Sequence, residues 1–333
     1  MNSGRSLAIA GATGAVGMEM LQCLEQRDFP VSHLRLLASA RSAGKQIPFR
    51  GTSITVEELT PDSFGEVDIA LFSAGGSISR EFAPHAVRSG AVVVDNSSAF
   101  RLQEGTPLVV PEINAEDLKH HNGIIANPNC TTIVTLMGLY ALHQEWNCQK
   151  IIAASYQAVS GSGQAGIAEL DGQLSAIVRG DPIQPSVYPH QIASNCIAAI
   201  GEIGENGYTS EEMKMQNEGR KILHQPDLQA SVTCVRVPVH RSHSVAASVQ
   251  FAETPDLEKA RSLLSSSDGV QLMDDRAAGR FPTPLDSTEG DDCLVGRLRE
   301  DLVFERGLSL WVVGDQVRKG AALNAVQIAE KLP

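Results

Sequence analysis

Over the first 130 residues, short apolar runs alternate with stretches of helical spacing: Leu7 to Ala10, Leu34 to Ala38, Ile69 to Ser73, Ala91 to Asp95 and Ile124 to Ala126. Runs this short and this apolar read as strands buried on both faces, with the intervening helices as their cover. The pattern predicts βαβ units and a doubly wound, largely parallel sheet. After Cys130 the texture changes. A helix predicted from Thr131 to about Trp146 leads into longer, more alternating strands, Lys150 to Ala158, Ser231 to Val239 and Ser244 to Phe251, with a helical stretch near Glu211 to Leu223 between them. Alternation marks strands with one buried face, so the second half is expected to form an α+β domain, a mixed or antiparallel sheet with helices on one side. The segment Gln316 to Leu332 places Ala322, Ala325, Val326 and Ala329 at helical spacing, and is expected to pack back on the first domain. The expected division is residues 1–129, completed by a C-terminal helix over 315–333, and residues 130–314.

Composition narrows the partners. At 333 residues and 42% hydrophobic, the chain is long enough for two domains that each bury a core. A formal charge of −12 repels nucleic acid and anionic membrane, although a few local cations can still hold a small anionic substrate. The six cysteines form no CxxC pair. They fit reduced thiols in a cytoplasmic protein better than a disulfide framework or a zinc site, and no metal is expected. No apolar stretch reaches membrane-spanning length, and the N-terminal residues run directly into a strand, so neither a targeting segment nor a membrane anchor is expected.

The first strand ends in Gly11-Ala12-Thr13-Gly14-Ala15-Val16-Gly17, with a helix following. Glycines there permit a tight turn and close approach of backbone N–H groups to a pyrophosphate; a plain βα turn uses glycine as well. Gly11, Thr13, Gly14, Ala15 and Val16 are the cofactor candidates in this turn. At the end of the second strand an acidic residue would select NAD, but the chain has Ser39-Ala40-Arg41-Ser42-Ala43-Gly44-Lys45. The hydroxyls of Ser39 and Ser42 with the guanidinium of Arg41 suit a ribose 2′-phosphate, hence NADP; the alternative is a solvated basic loop. Two further loops, Ser73 to Ser77 and Asn96 to Arg101, fall at the carboxyl ends of strands, where such sheets bind ligands. Ser73 and Ser98 are further cofactor candidates. Arg101 is either an anion site or a surface arginine.

Cys130 follows Asn127-Pro128-Asn129 at a predicted helix start. The positive end of a helix favours thiolate, so the residue is either a nucleophile or a buried structural cysteine. Gln157 stands where a strand runs into the turn Ser160-Gly161-Ser162-Gly163, able to orient a carbonyl or carboxylate. In Val235 to Ser244, His243 is the best acid/base candidate, against a satisfied structural histidine. Arg236 and His243 are an odd number of residues apart, so strict alternation puts them on opposite faces unless the backbone bends, as Pro238 allows. His120, His121 and His190 lack such context.

Taken together, Gly11 to Gly17, Leu37 to Lys45, Asn127-Pro128-Asn129-Cys130-Thr131 and Gly314-Asp315-Gln316-Val317-Arg318-Lys319-Gly320 resemble the aspartate-semialdehyde dehydrogenases of the bacterial and plant-like branch, over essentially the whole chain. The resemblance implies a Rossmann-like NADP-binding domain and an α+β domain for catalysis and dimerisation. It implies Cys130 as nucleophile, His243 as acid/base catalyst, Gln157 orienting the acyl intermediate and Arg236 gripping the substrate α-carboxylate. Glu211 would hold the substrate amine, and Lys214 would join Arg101 at the phosphate. Neither Glu211 nor Lys214 stands out without the resemblance, and adjacent Glu212 competes for the first role. Ser160, Gly161, Gln316 and Asn324 match cofactor contacts. The implied reaction is NADPH-dependent reductive dephosphorylation of L-aspartyl 4-phosphate to L-aspartate 4-semialdehyde and phosphate through a thioester. It would serve lysine (diaminopimelate), threonine, methionine and isoleucine biosynthesis, in a homodimer or that dimer doubled to a tetramer. N-acetyl-γ-glutamyl-phosphate reductases share the logic but differ in the cysteine motif; a silent NADP-binding homologue has no need of Cys130, Gln157, Arg236 and His243 together.

Overall fold

The N-terminal apolar runs fold as the core strands of a seven-stranded sheet. In chain order the strands are β1 (Arg5–Ala10), β2 (Val31–Ala38), β3 (Gln46–Phe49), β4 (Thr52–Glu58), β5 (Ile69–Phe72), β6 (Val92–Asp95) and β7 (Ile124–Ala126). They are joined by α1 (Ala15–Gln26), α2 (Gly76–Arg88) and the single turn α3 (Pro111–Asn114). The computed structural model describes residues 4–332 and divides into two compact units. One unit takes the chain to Asn129 together with the segment from Ala321; the other spans Cys130–Gly320. In the first, the strand order is β3-β4-β2-β1-β5-β6-β7, parallel except for the β3–β4 hairpin. That hairpin is hidden from the apolar pattern because its residues alternate with solvent at the sheet edge. β1 feeds both cores: Leu7 and Ile9 pack with Met20 and Leu24 of α1, Ala8 and Ala10 with Phe82, Ala83 and Ala86 of α2. The strand order reverses at β1, so the ligand crevice of such a sheet opens past the carboxyl ends of β1 and β5.

The second unit begins with α4 (Cys130–Trp146) and continues through β8 (Cys148–Gln157), α5 (Gly163–Arg179), α6 (Ser210–Ile222), β9 (Gln229–Arg236) and β10 (His243–Phe251). It ends with α7 (Leu257–Ser265), β11 (Val270–Leu272), the turn α8 (Pro284–Ser287), β12 (Cys293–Glu300) and β13 (Gly307–Gly314). Its sheet, β11-β12-β13-β10-β8-β9, is antiparallel in the middle and parallel at both ends. The two-domain α/β architecture is therefore the one the hydrophobic pattern predicts. α4 lies against this sheet and touches α6 and α7, making one helical layer. Close approach is the reason for two glycines: a Cβ on Gly138 would sit 2.6 Å from Val312, and one on Gly314 2.7 Å from Val134. Away from that layer Ile152 and Tyr156 of β8 are 52% and 39% exposed, with the Tyr156 ring 5.4 Å from that of Trp311.

The C-terminal segment departs from one continuous helix. A π-helical turn at Arg318–Ala322 precedes α9 (Leu323–Lys331), and residues up to Gly320 stay with the second unit. The cause is Asp315, fully buried, whose carboxylate accepts from Arg241 Nε at 2.6 Å and from the backbone N–H groups of Glu289 and Val317 at 2.7 and 2.9 Å. α9 completes the first unit: it packs on α1, buries Leu323, Val326 and Ile328, and pairs Glu330 with Arg27 at 2.6 Å.

Candidate active site

In the first unit the glycine turn is sterically obligatory. Gly11 has φ +88°, and a Cβ there would lie 2.3 Å from the Ser73 carbonyl oxygen; one on Gly17 would lie 2.3 Å from that of Gly11. Gly14 caps α1 with no side-chain hydrogen bond, and the first turn carries no acidic residue, so the backbone at Ala15 and Val16 meets neither a capping oxygen nor a repelling charge. Thr13 is half-buried in the turn; Ser39 and Arg41 are exposed beyond β2 and Ser42 is buried beside them. This arrangement suits a dinucleotide: backbone donors for a pyrophosphate, with hydroxyls and a cation at the next strand end.

The loop after β6 is organised by Asp95, fully buried, which accepts from Ser79 Oγ and Ser97 Oγ at 2.6 Å each. Ser98 is exposed, and Ser73 half-buried past β5. Arg101 is a buried arginine, not a surface one: Nε donates to the Asn127 carbonyl and Nη2 to that of Asn96, both at 2.9 Å. Asn324 is fully buried, its Nδ2 donating to the Val109 carbonyl at 2.9 Å and to Asn127 Oδ1 at 2.6 Å.

In the second unit the end of β8 is a hub. Gln157 Nε2 donates to Thr131 Oγ1, next to Cys130, and to Glu211 Oε1 at 3.1 Å; Gln157 Oε1 is buried without a protein partner. One residue on, the Ala158 amide donates to His243 Nδ1 at 3.1 Å and its carbonyl accepts from Arg236 Nη1 at 2.6 Å. Arg236 and His243 share this edge because the chain bends between them, as Pro238 allows: Arg236 ends β9 and His243 begins β10, and the two strands flank β8. Gly161 closes this corner: a Cβ would lie 2.8 Å from Arg236 Nη1 and 3.3 Å from His243 Cε1. Gln316 ties the corner together, accepting from the Ser242 amide at 2.7 Å and donating to Ser160 Oγ. Lys214 Nζ lies 2.6 Å from Glu211 Oε2. Glu212 points elsewhere, completing the Thr209 capping box and accepting from the Cys234 amide at 3.0 Å, so Glu211 is the glutamate at the hub.

The electrostatics set the protonation states. Because His243 Nδ1 accepts a backbone N–H, the neutral ring carries its proton on Nε2, which is buried and unpartnered by protein. Burial, then the Arg236 charge, hold its pKa down to about 3, against an opposing pull from Glu211. As a neutral ring it presents an N–H donor at Nε2. Cys148 and Cys234 are pushed up to about 12 by burial, leaving them thiols, whereas Cys130 is half-buried at the first residue of α4. Tyr188, whose ring lies 5.9 Å from the Arg236 guanidinium, has no sequence signal. Tyr188 sits in an irregular segment with no periodicity to mark it.

A nucleotide-binding doubly wound unit, followed by a mixed-sheet unit that gathers an imidazole, an arginine and a carboxamide at one sheet edge, defines a two-domain oxidoreductase. The chain belongs to the semialdehyde dehydrogenase family: residues 6–121 match its NAD binding domain and residues 139–319 its dimerisation domain. Aspartate-semialdehyde dehydrogenase of Bacillus subtilis (strain 168) is 48% identical over 100% of this chain and 98% of its own length. That of Aquifex aeolicus (strain VF5) is 46% identical over 99% and 98%. The structure of Vibrio cholerae aspartate semialdehyde dehydrogenase II complexed with ASA superposes with a TM-score of 0.96 at 45% identity, covering 99% of this chain and 98% of that one.

Proposed function

We propose that this chain is an NADP-dependent aspartate-semialdehyde dehydrogenase that converts L-aspartyl 4-phosphate to L-aspartate 4-semialdehyde and phosphate. The observation that carries the reading is the β8 hub, where Gln157 Oε1 and His243 Nε2 are both buried and unpartnered by protein, beside the residue that follows Cys130. Two buried polar atoms left unpaired at one strand end are costly unless a substrate satisfies them. Arg236 takes the α-carboxylate, Glu211 the amine, and Lys214 and Arg101 the phosphate.

The Cys130 thiolate, stabilised by the start of α4, attacks the acyl carbon; a C–S bond forms, the C–O bond to phosphate breaks, and a thioester remains. Gly11, Thr13, Gly14, Ala15, Val16, Ser39, Arg41, Ser42, Ser73 and Ser98 hold the dinucleotide, together with Ser160, Gly161, Gln316 and Asn324. NADPH, when bound, supplies the hydride that reduces the thioester. His243 Nε2–H and the backbone N–H groups of the α4 start hold the tetrahedral oxygen as its charge develops. Collapse of that adduct breaks the C–S bond, returns the thiolate to Cys130 and releases the aldehyde. The product feeds lysine, threonine, methionine and isoleucine biosynthesis in the cytoplasm. A second copy docks on the exposed face of the second unit's sheet, around Ile152 and Tyr156, as the dimerisation-domain match supports.

The test is a steady-state assay of L-aspartate 4-semialdehyde oxidation with phosphate, using NADP⁺ and NAD⁺ in parallel. The wild type is expected to reduce NADP⁺ only when phosphate is present, and Cys130→Ala to lose on the order of 10⁴-fold or more in rate. Arg41→Ala is expected to weaken NADP⁺ by ~10–100-fold while sparing NAD⁺, the worth of a charge-assisted contact. An active Cys130→Ala enzyme would end the thioester mechanism, and equal losses for both cofactors the 2′-phosphate assignment.

A further inference from the structure

We infer that Asn96 is a binding residue for the nicotinamide nucleoside half of the dinucleotide, through a ligand group that both donates and accepts a hydrogen bond. The inference rests on the dinucleotide reading of the first unit. The register of the sheet sets Asn96 in place: Ala10 pairs with Phe72, and Phe72 with Asp95, so Gly11, Ser73 and Asn96 are the first residues past the carboxyl ends of β1, β5 and β6. They form one row along the edge where a doubly wound sheet binds its ligand. The backbone of Asn96 is pinned on both sides, its N–H donating to the Phe72 carbonyl at 2.9 Å and its own carbonyl accepting from Arg101 Nη2 at 2.9 Å.

Its side chain is the exception in this loop. Ser97 directs its N–H and Oγ to Asp95, and the Ala99 N–H donates to Ser97 Oγ at 3.1 Å. Both polar atoms of the Asn96 carboxamide, Oδ1 and Nδ2, are buried with no protein partner. A buried donor and acceptor on one rigidly held group are an unfavourable arrangement for the fold alone, and a complementary pair of groups on a ligand offsets it. The two mononucleotide halves of a dinucleotide lie on opposite sides of the central strand. Ser39, Arg41 and Ser42 follow β2 on one side of β1, and Asn96 follows β6 on the other. Adenosine phosphate chemistry on the β2 side leaves the nicotinamide nucleoside for the β5–β6 side. That half offers two groups of mixed donor and acceptor character, the ring carboxamide and the ribose hydroxyls.

The experiment measures binding by calorimetry on the full chain without substrate, with three probes: NADP⁺, adenosine 2′,5′-bisphosphate, and the 3-acetylpyridine analogue of NADP⁺, which lacks the carboxamide N–H donor. Asn96→Leu is close to isosteric and apolar; Asn96→Ser, smaller on every side, covers any misfit of the leucine. Both variants are expected to bind NADP⁺ ~10–100-fold more weakly, to bind the bisphosphate as the wild type does, and to melt no lower than wild type without ligand. If the carboxamide is the partner, the wild type weakens toward the analogue and the variants do not weaken further; if the ribose is, the two losses add. Unchanged NADP⁺ affinity in both variants, or a lower melting temperature with equal losses for NADP⁺ and the bisphosphate, overturns the inference. A wild type that binds neither NADP⁺ nor the bisphosphate removes the dinucleotide reading itself, a separate and distinguishable failure.

Discussion

With Nδ1 held by the Ala158 amide and Nε2 facing the corner closed by Gly161, His243 has one proton arrangement open to it as a neutral ring. In the proposed reaction its part is then that of a fixed, buried donor. His243→Ala is expected to lower kcat by roughly 10²–10³-fold with the KM for NADP⁺ unchanged, and the wild-type pH–rate profile to lack a histidine inflexion between pH 5 and 8. An inflexion near the ordinary histidine pKa that disappears in His243→Gln would show a titrating base instead. Linkage adds a stability test. The folded pKa of about 3 lies below the unfolded value of 6.5, so between them the unfolded chain binds the extra proton. The ring therefore leaves stability intact above the unfolded pKa and erodes it as pH falls toward the folded one, at most about 1.4 kcal/mol per pH unit. His243→Gln is expected to flatten that part of the urea-denaturation profile between pH 6.5 and 4. At this scale the placement of the candidates was legible in residue type and neighbourhood: a thiol at a helix start, an imidazole after a proline-bent strand. The tautomer was not legible, because it is set by a backbone amide far away in the chain.

Among the elements, the β1 turn joins shape to ligand chemistry most directly. Gly11→Ala places a methyl group 2.3 Å from the Ser73 carbonyl oxygen at φ +88°, so the loops after β1 and β5 must separate. The expected outcome is a loss of about 1–3 kcal/mol in stability together with weakened NADP⁺ binding, read from denaturant melts and calorimetry. A variant as stable and as tight-binding as wild type would show that these loops have room to part. The parallel strands were visible in the sequence because burial on both faces leaves an uninterrupted apolar run. The β3–β4 hairpin was not, since an edge hairpin half in solvent resembles a loop. For Arg236 and His243 strict alternation did not apply and the bend that Pro238 allowed did: the chain leaves β9 at Arg236 and re-enters the sheet as β10 at His243, with β8 interposed. The long helix expected from Gln316 yielded to Asp315, whose buried carboxylate binds N–H groups of the following turn.

For the whole molecule, the exposed aromatic and aliphatic groups on the second unit's sheet have a measurable consequence. Ile152→Glu is expected to shift the sedimentation of the protein from dimer toward monomer, because a carboxylate cannot be desolvated cheaply at a self-complementary face. Unaltered sedimentation would place the dimer contact on another surface. That the chain has two halves was readable from the change of texture at Cys130, whereas the uncovered face of the second unit's sheet was not, since no single residue announces it.

The pairing of Arg27 with Glu330, 303 positions apart, has a consequence for how the protein is made. A ribosome delivers β1 and α1 well before α9, so the nucleotide-binding core stays open along one side of α1 until α9 emerges. The second unit, contiguous from Cys130 to Gly320, has all its residues before then. The second unit can therefore complete its set of residues before the first, against the usual N-terminus-first order. A nascent chain halted short of α9 would hold all of the second unit and a first unit with bare apolar surface along α1, the kind of product that chaperones retain and proteases remove.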